Sequence, residues 1–173
     1  MRDPLPEARR RADVTRPLVV GVGRAECGDD AVGTLVALEV AGRLGARVEV
    51  RSVGGDLTRE IEDWQGRPLV VLIDAMHSGA PPGTVRRFDA NAACLPDLGE
   101  PATSTHGLGL GPVLELARLL GYLPARLVVV AIEGRRFTVG TLPSPEVLSA
   151  VGAAVALVES EVEGAFIFTP PAR

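Results

Sequence analysis

The stretch that decides the fold is Leu18-Val19-Val20-Gly21-Val22-Gly23-Arg24-Ala25-Glu26-Cys27-Gly28-Asp29-Asp30-Ala31-Val32-Gly33. It opens on a short, continuously apolar run of the kind buried on both faces of a parallel sheet. A glycine-bearing turn comes next, and then a helix predicted from about Asp29 to Leu44. Asp29 and Asp30 stand where the cap and first turn belong, and carboxylates there complement the helix dipole.

Working outward, the strand-to-helix alternation repeats. Arg47 to Val53 alternates through Val48 and Val50 and ends at Gly54-Gly55, so it reads as a second strand. Leu57 to Trp64 predicts a short helix, with Trp64, the only Trp, as a packing residue. Pro68 opens a third strand, Leu69 to Ile73, which closes on Asp74; Pro81-Pro82-Gly83 is a turn, and Thr84 to Phe88 an edge strand. Asn91 to Thr105 lacks any period and reads as a long loop, and long loops in compact domains are functional or mobile. An apolar helix from about Gly107 to Leu120 is stopped by Gly121. Leu127 to Ile132 is another buried strand, and Pro145 to about Glu161 closes the domain as a helix with Ser144 as N-cap and Pro145 at N1. The predicted fold is α/β, a three-layer sandwich on a doubly wound, mostly parallel sheet with one antiparallel edge strand, phosphorylase/hydrolase-like in type. Residues 1–16 read as a flexible leader, 17–163 as a single domain, and 164–173 as a frayed tail.

Composition narrows the chemistry. The 173 residues are 46% hydrophobic and only 3% aromatic, so the core is aliphatic, and the net charge is -4. All 18 basic residues are Arg. Without Lys there is no Walker A phosphate loop and no Schiff-base or pyridoxal-phosphate chemistry. An acidic chain is a poor general nucleic-acid binder. Cys27 and Cys94 do not make a disulfide framework, and no window is apolar enough to span a membrane. Arg9-Arg10-Arg11 is followed by no apolar h-region, so export is not indicated and a cytoplasmic location is the default.

Ligands of open parallel sheets bind beyond the carboxyl ends of the strands. That edge receives Glu26, Cys27, Asp29 and Asp30 from the first strand, Asp56 from the second, and Asp74 and His77 from the third. The first turn departs from G-x-G-x-x-G, since position 26 is Glu, and two carboxylates open the helix where a pyrophosphate needs bare N–H groups. The same carboxylates attract a cation. Asp30, Asp74 and His106 form an O, O, N set suited to a divalent transition metal. The competing readings are helix capping for Asp29 and Asp30, turn formation for Asp74, and a surface or capping role for His106. Cys27, beside a helix N-terminus with His77 or His106 as base, is either a nucleophile or a small buried hydrophobe. Glu133 either lines the cleft or pairs with a helix.

Taken in order, Gly21-Val22-Gly23, Gly28-Asp29-Asp30-Ala31-Val32-Gly33, Ile73-Asp74-Ala75, Gly79 with Pro82-Gly83-Thr84, Ser104-Thr105-His106-Gly107-Leu108-Gly109-Leu110 and Leu142-Pro143-Ser144-Pro145-Glu146-Val147 resemble the [NiFe]-hydrogenase maturation endopeptidases. The resemblance runs from about Leu18 to Val158. It implies an endopeptidase that removes the C-terminal extension of a hydrogenase large-subunit precursor after nickel insertion. It also implies that Asp30, Asp74 and His106 are the metal-contacting, catalytic set. The nickel arrives in the substrate, and no permanent cofactor is expected. Arg24, Asp29, Gly54, Gly55 and Asp56 are the expected substrate-binding residues. Two positions depart from the family: Arg24 where Asn is usual, and Asp56 where Thr is usual. The expected partner is the precursor subunit, with no nucleic acid and no membrane, and the chain is expected to be a monomer. A noncatalytic binding protein or chaperone on the same scaffold is the alternative reading.

Overall fold

The computed structural model describes residues 13–92 and 110–167. Five strands form one sheet: β1 (Leu18–Val22), β2 (Glu49–Val53), β3 (Val70–Met76), β4 (Val85–Asp89) and β5 (Leu127–Glu133). Their order is β2-β1-β3-β5-β4. The first four of these neighbours run parallel, and β4 closes one edge antiparallel to β5. The three α-helices are α1 (Val32–Leu44), α2 (Leu110–Leu120) and α3 (Pro145–Ile167).

The two sheet faces bury separate aliphatic cores. Val19, Val71, Ile73, Val128, Val130 and Ile132 face α1 and α3. Their neighbours Leu18, Val20, Leu72, Leu127 and Val129 face α2 and the segment containing Leu57, Ile61 and Trp64. Strict alternation along strands that are apolar throughout is what a sheet covered on both sides requires. The predicted sandwich and its antiparallel edge strand are both present.

Three boundaries move. The first predicted helix splits into a 3-10 turn (Gly28–Ala31) and α1, and neither Asp29 nor Asp30 caps it through a side chain. Leu57 to Trp64 forms two 3-10 turns, Leu57–Arg59 and Ile61–Trp64, because so short a segment gains little from helix propagation. Its apolar side chains are nevertheless buried as expected. Helix α3 continues beyond Gly164 to Ile167; Ala165 is buried, and the Arg47 guanidinium lies over the Phe166 ring. At the other end, residues 13–16 are tied to the domain. The fully buried Arg67 donates Nη1–H to the carbonyls of Asp13 and Arg16.

Candidate functional site

Strand order changes direction at β1: β2 lies to one side of it and β3 to the other. Such a switch point opens a crevice beyond the carboxyl ends of the strands. Asp30 and Asp74 stand on its two sides. Asp30 belongs to the turn after β1. Asp74 lies within β3, two residues before its end, and pairs in register with Ala131 of β5. The ladder between β1 and β3 ends at Gly21 and Ile73, so β3 outruns its neighbour and Asp74 borders the opening. It is half-buried, and its Oδ1 accepts the N–H of Ala75 at 2.8 Å.

The turn carrying Asp30 is pressed onto β1. A Cβ at Gly23 would sit 1.8 Å from the Asp30 carbonyl oxygen, and Gly23 has φ +124°, so both space and backbone demand glycine there. Asp30 Oδ2 accepts the backbone N–H of Arg24 at 2.9 Å and its Nε–H at 3.3 Å. Arg24 is thus an ion-pair partner of the candidate ligand.

Asp29 turns the other way. It is completely buried, and its carboxylate binds backbone: Oδ2 accepts the N–H groups of Arg135 and Arg136 at 2.8 and 2.9 Å, and Oδ1 that of Ser144 at 2.6 Å. Burial alone would raise this carboxyl, but the three N–H donors outweigh it and hold the group below its ordinary value. The expected substrate-binding role of Asp29 is therefore corrected: with no exposed surface, it cannot meet a substrate.

The β2 end of the edge is open. Gly54 and Asp56 are exposed and Gly55 is half-buried, with φ +111°. Asp56 accepts the N–H of Thr58 at 3.1 Å and also bonds its hydroxyl, and these two contacts lower its pKa. Beneath this loop, Arg51 binds Glu49, Glu60 and Asp63. Burial would lower the guanidinium pKa, but the three carboxylates raise it.

Two residues left open by the sequence take definite places. Cys27 is fully buried, which leaves its thiol inaccessible to a substrate, and its backbone pairs with that of Thr141 in an isolated parallel bridge. Glu133 neither lines the cleft nor pairs with a helix. It is buried, and its carboxylate accepts from Ser78 N–H, Ser78 Oγ–H and Gly79 N–H at 2.8–3.1 Å, securing the turn after β3. His77 is exposed, with Nδ1 3.3 Å from the Gly134 carbonyl and its ring edge-on to Phe137. His106 and Cys94 lie outside the described residues. Two members of the expected triad, Asp30 and Asp74, are therefore in view, and among the described residues no group of three or more His, Cys, Asp or Glu is placed to hold a metal ion.

The HycI family model, described as hydrogenase maturation protease, matches residues 34–161. The chain belongs to this family. Among curated hydrogenase maturation relatives, it is 28% identical over 119 residues to the hydrogenase expression/formation protein HupD of Thiocapsa roseopersicina. That alignment covers 67% of this chain and 53% of HupD, so the chain spans about half the length of that relative. The hydrogenase maturating endopeptidase HybD from E. coli superposes with a TM-score of 0.71 at 23% identity, covering 87% of this chain and 94% of HybD, which is a likeness of fold. The [NiFe] hydrogenase maturation protease HycI from Thermococcus kodakarensis KOD1 superposes with a TM-score of 0.64 at 25% identity, over 86% and 93% of the two chains. No helix among the described residues of this maturation-protease chain is long and apolar enough to cross a membrane.

Proposed function

We propose that this protein removes the C-terminal extension of a [NiFe]-hydrogenase large-subunit precursor once nickel has been inserted. The observation that carries the reading is the placement of Asp30 and Asp74 on opposite sides of the switch-point crevice, in a chain of the maturation-protease family. Nickel comes with the substrate. Hard oxygen donors from Asp30 and Asp74, and an imidazole from His106, complete its coordination only when it is present. That contact fixes the precursor so that the peptide bond beside the metal site meets water in a productive geometry, and positioning of this kind accounts for a large part of a hydrolytic rate. Arg24 holds Asp30 through Oδ2, and Oδ1 is the oxygen we assign to the metal. Gly54, Gly55 and Asp56 form the rim that meets the precursor, with Gly54 and Asp56 exposed. We place the reaction in the cytoplasm, with the enzyme acting as a monomer.

The Arg24–Asp30 pair also favours a second reading. A guanidinium on a ligand carboxylate competes with a cation for it, and a chain locked in that pair would bind the precursor without cutting it. Intact mass separates the two. Incubation with nickel-loaded precursor shortens the precursor under the first reading and yields an unshortened complex under the second. Asp74→Asn processing at the wild-type rate would refute the site assignment.

A further inference from the structure

We infer that Asp29 is a positioning residue for the reaction proposed above: it locks the loop between β5 and α3 onto the turn that carries Asp30, and so sets where that ligand stands. The inference rests on Asp30 being the metal-contacting carboxylate.

The lock is reciprocal and has several parts. Arg135 and Arg136 present successive N–H groups to one oxygen of Asp29, an anion-binding backbone nest, while Ser144 presents its N–H to the other. In return Asp29 donates its own N–H to the Arg136 carbonyl at 2.7 Å. On either side, Gly28 N–H reaches the Thr141 carbonyl at 3.1 Å and Gly140 N–H reaches the Glu26 carbonyl at 2.7 Å. The fit is close. A Cβ at Gly134 would lie 2.8 Å from the Asp29 Cβ, and one at Gly28 would lie 2.4 Å from the Arg136 carbonyl oxygen.

The turn's own internal bonding is slight. Its residues Gly28–Ala31 make a single 3-10 turn without a side-chain cap, and the Asp30 N–H to Cys27 carbonyl contact is long, at 3.3 Å. Arg24 grips the Asp30 carboxylate, and Asp29 anchors the adjoining backbone to the loop between β5 and α3. A displaced ligand loses rate steeply with distance, so an anchor one residue away acts on the chemistry without touching substrate. Both oxygens of Asp29 accept. Asn supplies one acceptor and turns an NH2 toward a backbone donor, which breaks the side-chain part of the lock with almost no change in volume.

The test is steady-state processing of nickel-loaded precursor by Asp29→Asn, with rates expressed per folded molecule well below the unfolding temperature. Asp30→Asn and Val158→Ala, a buried α3 substitution remote from the crevice, serve as comparisons. The expected result is a kcat lowered at least 30-fold by Asp29→Asn, with KM within threefold of wild type, while Val158→Ala stays within twofold in both. A purely structural Asp29 would lower stability and leave kcat per folded molecule unchanged, and that result overturns the inference. If Asp29→Asn does not fold, one glycine inserted between Thr138 and Val139, both exposed, slackens the same loop and leaves the core intact. A kcat lowered at least tenfold supports the lock, and an unchanged kcat overturns it. Normal Asp29→Asn turnover beside an inactive Asp30→Asn overturns the inference alone. Normal turnover by Asp30→Asn overturns the site reading, and the inference with it.

Discussion

Helix α1 lies so close to the sheet that one methyl group decides its position. A Cβ at Gly33 would sit 2.2 Å from the Val22 carbonyl oxygen and 2.4 Å from that of Ile73, against an ordinary contact of 3.4 Å or more. Both obstacles are backbone atoms of adjacent central strands, so no rotamer relieves the clash and α1 must retreat by roughly 1 Å. That retreat loosens Val32, Val36, Ala37 and Val40, all fully buried against the sheet. Overpacking of this kind costs about 1–3 kcal/mol, and more where backbone must move. Helix propensity works the other way, since Ala is better than Gly by about 1 kcal/mol in a helix interior. The clash wins, and Gly33→Ala is expected to destabilise by about 2 kcal/mol net, a fall in Tm of roughly 4–8 °C for a chain of this size. Gly42, in the same helix, has nothing within 4 Å of its added Cβ. There the propensity gain stands alone, and Gly42→Ala is expected to stabilise by about 0.5–1 kcal/mol. Urea unfolding followed by the emission of Trp64, the only Trp and fully buried, measures both variants. A Gly33→Ala midpoint at or above wild type would refute the reasoning, because it would mean that the helix does not touch the sheet there.

Three further outcomes are expected on similar physical grounds. Arg67→Met leaves Glu49 and three backbone carbonyls without their buried donor, and removing one partner from such a pair costs about 3–5 kcal/mol in urea unfolding. Acid stability depends on carboxylates held low in the folded state. Arg87, chiefly, and Arg126 depress Glu161, and Arg67 and Arg51 depress Glu49 against the upward push of burial. Stability from these groups is fully present above their unfolded value of 4.5 and is lost as pH falls through the depressed folded values, so the urea midpoint should decline on acidification below that point. Glu161→Gln should flatten that decline. Cys27, being fully buried, should remain unalkylated by iodoacetamide in the native protein and react only after denaturation, as read by peptide mass.

Much of this fold could be read from runs of apolar residues. Val19 to Val22, Val70 to Ile73 and Leu127 to Ile132 are apolar on both faces because helices cover both faces, and their shortness marks them as buried strands. Asp30 and Asp74 could be placed at one edge because parallel strands all point their carboxyl ends to the same side. The division of labour between Asp29 and Asp30 could not be read. Adjacent and chemically identical, they are separated only by the rotation of a 3-10 turn that sends one carboxylate inward and the other toward Arg24. The inward one binds backbone N–H groups 106 to 115 residues away, and backbone donors leave no trace in residue type. Glu133 escaped for the same reason, since two of its three donors are N–H groups of the turn at Ser78 and Gly79. The Arg24–Asp30 pair was half visible. Arg24 was an evident departure from the family pattern, but its partner emerged only once the turn folded back on β1.

The central claim is that the Asp30 and Asp74 edge reads a metal carried by the substrate. Intact-mass analysis of the [NiFe]-hydrogenase large-subunit precursor, incubated with this protein with and without inserted nickel, tests it most directly. The expected result is loss of the C-terminal extension from the nickel-loaded precursor alone. Equal shortening of the nickel-free precursor, or no shortening of either, would contradict it.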